Sequence, residues 1–294
     1  MQYYYFISGL PGLSIDDAKQ SYSTAAFRED ASKHLSAADY KLLLSLHLPD
    51  ELDILLRLIY NGVLPEKPVS VYPEKYWERF LAYCKELVQN QDIKEPAEFK
   101  DLPGFISAKV VELFSQEELP PYHTTDHSFI QDAYEYLEQS GNKFIKAWFE
   151  YDAQIRNIVI AINGREHNYD FKPYLVGHKE YVDSIRRSTA SDFGLGKDVE
   201  TYDAVWRIYD QNNILYRERS YDVLRWKWID AKLFFEYFSV DKILGYYSKL
   251  RILERWTSMD TDSGKESFYD TLNALSESFK IPGEFSVKAL KDKN

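Results

Sequence analysis

Between Phe144 and Ile162, apolar residues recur at spacings of four, three, four, three and four: Phe144, Trp148, Tyr151, Ile155, Ile158 and Ile162. An α-helix, with 3.6 residues per turn, brings such positions onto one face. A face this long needs other helices to cover it, because an exposed apolar stripe of this size would not hold a helix together in water. Asn163-Gly164 follows as a stop signal, and Glu150, Asp152 and Arg156 fall on the opposite side. The i,i+4 spacing of Asp152 and Arg156 predicts a surface ion pair.

The same periodicity recurs along the chain. Ser36 and Asp39 form a variant capping box ahead of Tyr40 to His47, and Pro49 ends that segment. Asp50 then caps a helix carrying Leu52, Leu55, Leu56 and Ile59, which stops at Asn61-Gly62. After a linker from Pro65 to Pro73, Tyr76, Phe80, Tyr83 and Leu87 share a face, and a short helix is expected from Pro103 to Ser115. Phe129, Ala133 and Tyr136 continue the pattern after a cap at Thr125 or Asp126. Glu180 to Arg187 reads as helical inside an otherwise irregular stretch from His167 to Lys197. Trp206, Tyr209 and Tyr216 follow, then a stripe of Leu224, Trp228, Ala231, Phe235 and Phe238. Ile243, Tyr246, Tyr247, Leu250 and Leu253 form the next face, and Thr271 to Phe279 the last. Tyr3 to Ile7 fits a strand or an extended arm, closed by a turn at Ser8 to Gly12. No other run alternates as a strand would, so the chain is expected to be all-α, an elongated multi-helix bundle.

Composition limits what such a bundle can do. Aromatic residues make up 16% of the 294, with 24 Tyr, 17 Phe and 6 Trp, so large rings must line packed faces or contact surfaces. The formal charge of −11 disfavours nucleic acid and anionic lipid as partners. Cys84 stands alone, which excludes an intrachain disulfide framework and predicts a small buried residue. The first residues lack the pattern of a secretory signal, and no apolar run is long enough to span a bilayer. These features predict a cytoplasmic protein that reaches a membrane only through partners.

Signatures of catalysis are weak. His123 and His127 have the spacing of a two-histidine metal motif, but Thr124 stands where the zinc proteases place Glu, and a loop with a helix cap is the plainer expectation. Gly194-Leu195-Gly196-Lys197 is friendly to phosphate, yet Asp198 follows where a nucleotide-binding loop needs Ser or Thr. No catalytic residue, metal ligand or cofactor-binding residue is therefore nominated, and no cofactor is expected. The densest basic and aromatic stretch contains Arg217, Arg219, Arg225 and Trp226, residue types that anchor protein interfaces. Trp228 is assigned to the core by its place in the apolar stripe.

The opening Tyr3-Tyr-Tyr-Phe-Ile-Ser-Gly-Leu-Pro-Gly-Leu13 resembles the start of an uncharacterised bacterial family associated with V-type ATPases. Glu150 to Val159 and Phe238 to Arg255 look like segments of the C/d family of V/A-type ATPase subunits. That resemblance implies an all-helical funnel of three related bundles, placed at residues 1–120, 121–198 and 199–294. It further implies a noncatalytic component without a nucleotide site, linking the rotating central stalk to the membrane rotor ring in proton or sodium transport. Asp152, Asn157 and Arg165 look like the acidic, amide and basic positions of the family's helical motif, and Glu254 like the acidic position of a later helix. The protein would then sit at the inner face of the membrane through the complex. A stand-alone helical scaffold or regulatory module is the alternative reading, and a metal enzyme built on His123 and His127 a third.

Overall fold

A computed structural model describes residues 3–17, 22–61, 70–90, 92–196 and 200–257. Among them are twelve α-helices and no strand. The aromatic run at the start folds as a short helix, α1 (Tyr4–Ser8), in place of the expected strand or arm. It is tied down by Tyr3, whose N–H donates to the Phe238 carbonyl and whose ring is buried. The expected helix at Thr271 to Phe279 lies outside the described residues.

Side-chain caps set several helix starts by satisfying amides that no helical carbonyl can reach. Ser23 caps α2 (Thr24–His34) and Ser36 caps α3 (Ala37–Ser45), the latter through the Asp39 amide foreseen in the sequence. Pro49 lies in the first turn of α4 (Leu48–Asn61), where its missing N–H costs nothing. Asp50 sits in that turn rather than ahead of it. Next come α5 (Tyr76–Gln89), α6 (Gly104–Phe114) and α7 (Tyr122–Glu138). Because α7 starts at Tyr122, Thr125 is a buried residue inside it and not its cap.

The longest helix, α8 (Lys143–Glu166), begins at the Asn142 cap and runs straight past Asn163-Gly164. Gly164 does not stop it. A Cβ there would come within 2.5 Å of the Phe171 Cβ, so glycine permits a close crossing by the turn at Lys172–Tyr174. The helix α9 (Glu180–Arg187) has the bounds read from sequence. The chain then forms α10 (Glu200–Tyr209), α11 (Ile214–Lys232) and α12 (Val240–Thr257).

Two buried clusters result. The larger draws on α1 to α7, on Phe144 to Ala153 of α8, on Trp226, Ile229 and Leu233 at the end of α11, and on α12. The smaller uses Ile155 to Ile162 of α8, the segment from Phe171 to Leu195 apart from Val176, which joins the larger, and α10 and Tyr221 of α11. Thus α8 and α11 each run from one core into the other. On α8 the change falls between Ala153 and Ile155, and on α11 between Tyr221 and Trp226.

The sequence stripe on α11 is displaced from the buried one. Tyr221, Trp226, Ile229 and Leu233 face inward, whereas Ala231 is exposed and Phe235 is 81% exposed. With aromatic residues on every side of this helix, periodicity alone could not fix which face the neighbours cover. Trp226 accordingly belongs to the core, its ring under the Lys249 ammonium at 4.7 Å, and is not an interface anchor. Trp228 is half-buried on the flank, stacked on Tyr151 with centroids 5.0 Å apart.

Candidate functional site

Where the two cores meet, the shared helices carry charge instead of hydrocarbon. Asp152 of α8 accepts from the Arg225 Nε of α11 at 2.7 Å and from the Tyr134 hydroxyl of α7. Arg225 also reaches Asp222, one turn back on α11, at 3.3 Å. Asp222 accepts from the Trp256 indole of α12 at 2.8 Å and lies 3.5 Å from Arg255, which pairs with Glu218 at 3.0 Å. The Asp152 and Arg225 side chains are only 18% and 21% exposed. Asp152 therefore does not form the expected surface pair with Arg156; α11 packs close enough to claim it.

Charge in a low-dielectric seam is tolerated only when it is paired and hydrogen-bonded. Burial pushes the Asp152 carboxyl up, but the Arg225 guanidinium and the Tyr134 hydroxyl outweigh it and hold the group below the usual carboxylate range. Burial works against the Arg225 charge, yet Asp152 and Asp222 together raise its pKa. The Tyr134 hydroxyl stays protonated, its pKa raised by burial and by the neighbouring carboxylate. The seam thus holds fixed charges at neutral pH and sets the register of α7, α8, α11 and α12 against one another.

The other residues singled out in the sequence also act as internal ties. Asn157, wholly buried, pairs with the Val176 backbone as a second peptide would, donating to its carbonyl at 2.8 Å and accepting from its amide at 2.9 Å. Arg165 donates to the Ser188, Ala190 and Ser191 carbonyls and lies 3.6 Å from the Phe193 ring centroid. Glu254 accepts from the Thr24 amide at 3.3 Å and from its hydroxyl, placing a negative charge at the start of α2. Arg219 binds Asp16 at 3.0 Å and the Ile15 carbonyl.

Arg165 and Arg217, both singled out in the sequence, converge on one cavity of about 600 Å³. Its other walls include Phe193, Trp206, Tyr209, Glu166 and Asn212. Arg217 donates to the Tyr209 carbonyl at 3.1 Å and lies 4.8 Å from that ring. Gly194 and Gly196, both at positive φ, direct their amides to Asp192 at 3.0 and 3.3 Å, so the phosphate-friendly loop is internally occupied. His123 and His127 are both on α7, on helix rather than in the expected loop. Among the described residues no group of three potential ligands could hold a metal ion.

Exposed apolar side chains gather at the two ends of α11, while Tyr122, Tyr136 and Tyr169 are exposed singly elsewhere. Tyr4, Tyr5, Phe234, Phe235 and Tyr237 lie at α1 and just beyond α11, with Tyr4 against Phe238 at 4.4 Å. Trp206, Ile214, Leu215 and Tyr216 are exposed at the other end of α11. Cys84 is fully buried, and burial raises its thiol to about 12, as suits a packing residue.

Fold and site together define an all-helical protein with two cores, held in register by a buried ionic seam. The chain belongs to the family described as a protein of unknown function (DUF2764), whose model matches residues 1–278. No curated protein and no solved structure matches it.

Proposed function

We propose that the protein is a noncatalytic component of a V/A-type rotary ATPase, a C/d-like connector joining the central stalk to the membrane rotor ring. The sequence resemblance supplies the partners. The observation that carries the reading is the pair of exposed apolar sets at opposite ends of α11, one beside each core. The helix spans 19 residues, so the sets are separated by roughly 27 Å along its axis. Exposed apolar patches of this kind mark contact surfaces, and a connector requires two.

Stiffness between the two ends suits the same role. A coupling that turns must not bend, and the seam locks the helices that run between the cores. No helix among the described residues is long and apolar enough to cross a membrane, so the rotor ring would be met from outside the bilayer.

Reconstitution tests the proposal. The tagged protein should co-purify with central-stalk components, and its omission should uncouple ATP hydrolysis from ion movement in vesicles. A complex that assembles and pumps equally well without it would rule the role out and leave the scaffold reading.

A further inference from the structure

The cavity between α8, α10 and α11 has a chemistry that a connector does not use. Its volume falls among small-ligand sites, which span about 300–1,000 Å³. Trp206 and Tyr209, one turn apart on α10, present rings only 20° from parallel, and Trp206 is 46% exposed. This is a stacking platform open to the cavity.

The two arginines are charged but not neutralised. Arg165 is held by three backbone carbonyls, and Arg217 by one carbonyl and a ring face. Among the described residues, no carboxylate lies within ion-pair distance of either. Glu166 and Asp210 also line the cavity, the first accepting from the Tyr209 hydroxyl and the second exposed, and Asp192, near Arg165, accepts from the Gly194 and Gly196 amides. Guanidinium groups in this state match phosphate or carboxylate oxygens.

We propose that this cavity binds a small ligand joining a planar aromatic ring to an anionic group, of the nucleoside monophosphate class. The ring stacks on Trp206, and the anion lies between Arg165 and Arg217. Asn212, also in the lining, is the amide nearest at hand for the polar edge of the ring, since the Gln211 amide donates to the Arg207 carbonyl at 3.3 Å. An apolar ligand would desolvate both guanidiniums without counter-charge, and a cation would meet Arg165 and Arg217 beside Glu166 and Asp210. Bare phosphate would leave the platform unused. The inference does not rest on the ATPase role, and failure of the protein to join that complex leaves it intact.

Calorimetric titration of the full chain with adenosine monophosphate, adenosine and inorganic phosphate tests it. The nucleotide should bind saturably below about 1 mM and at least about tenfold more tightly than either half alone. Arg217→Gln should weaken it at least about tenfold, and Trp206→Ala, at an exposed position, should do the same while leaving the circular dichroism spectrum unchanged. Arg165 is left intact because it holds the 188–191 turn. Absence of saturable binding, equal binding of phosphate alone, or a loss smaller than tenfold in both variants overturns the proposal.

Discussion

Asp152 shows how one side chain can organise a molecule. Replacing it with Asn leaves Arg225 with a single carboxylate in a seam that water reaches poorly, and the expected loss is about 3 kcal/mol at pH 7, read from the urea midpoint. Because the folded-state pKa is depressed, this stabilisation is present above the unfolded value near about 4 and disappears as pH falls through the lower native value. The gap between the native protein and Asp152→Asn should therefore close on acidification. His47 titrates in a higher window. It is buried, its Nε2 faces the Tyr247 hydroxyl at 2.5 Å, and its Nδ1 lies 3.6 Å from Asp50. Burial, then the Arg251 charge, lowers its pKa to about 4. Neutral His47 is the folded form, so stability is complete above about 6.5 and declines as pH drops toward 4. His47→Gln should remove that slope from a plot of Tm against pH. Neither partner was visible beforehand: Asp152 and Arg225 are 73 residues apart, and His47 and Tyr247 are 200 apart. The i,i+3 spacing of Asp222 and Arg225 was the only local sign of the seam.

At the scale of elements, the helices were legible wherever apolar spacing was regular and the polar face was distinct. The faces of α4, α8 and α12 and the bounds of α9 follow the pattern read from sequence, while on α5 Tyr76 and Phe80 are buried as expected but Trp77 and Cys84 complete the face in place of Tyr83 and Leu87. The pattern misled on α11, where rings surround the helix, and at α1, where a run of aromatic residues suits strand or helix until Tyr3 finds its pocket. Glycine was misread for a related reason, since a helix stop and a close crossing both demand a missing Cβ. Gly164→Ala separates the two. Alanine normally favours a helix interior by about 1 kcal/mol over glycine, but the collision with the Phe171 Cβ must move the turn at 171–174. We expect a net destabilisation of about 1–3 kcal/mol, measured as a fall in Tm, whereas a mere stop signal would give stabilisation.

For the whole molecule, the surface rather than the core separates folding from partnership. Leu215→Ser and Phe235→Ser change exposed side chains at the two ends of α11, so each should alter stability by no more than about 0.5 kcal/mol. Each should nevertheless weaken association with the proposed ATPase partners in co-purification, and the double variant should lose both contacts. The placement of these patches could not be read from the chain because the cores ignore chain order: one combines residues near both ends of the described region, and the other is built from its middle.

That interleaving has a consequence for how the protein can be handled. A cut after Ala153 falls at the border between the clusters, so each keeps its own residues of α8, but it breaks that helix in the middle; one after Tyr221 does the same to α11. The smaller core is drawn from the one stretch 155–221, whereas the larger is closed only when the chain on either side of that stretch comes together. Continuous helices, not shared packed residues, join the two halves, so a break inside α8 or α11 should lower the stability of both.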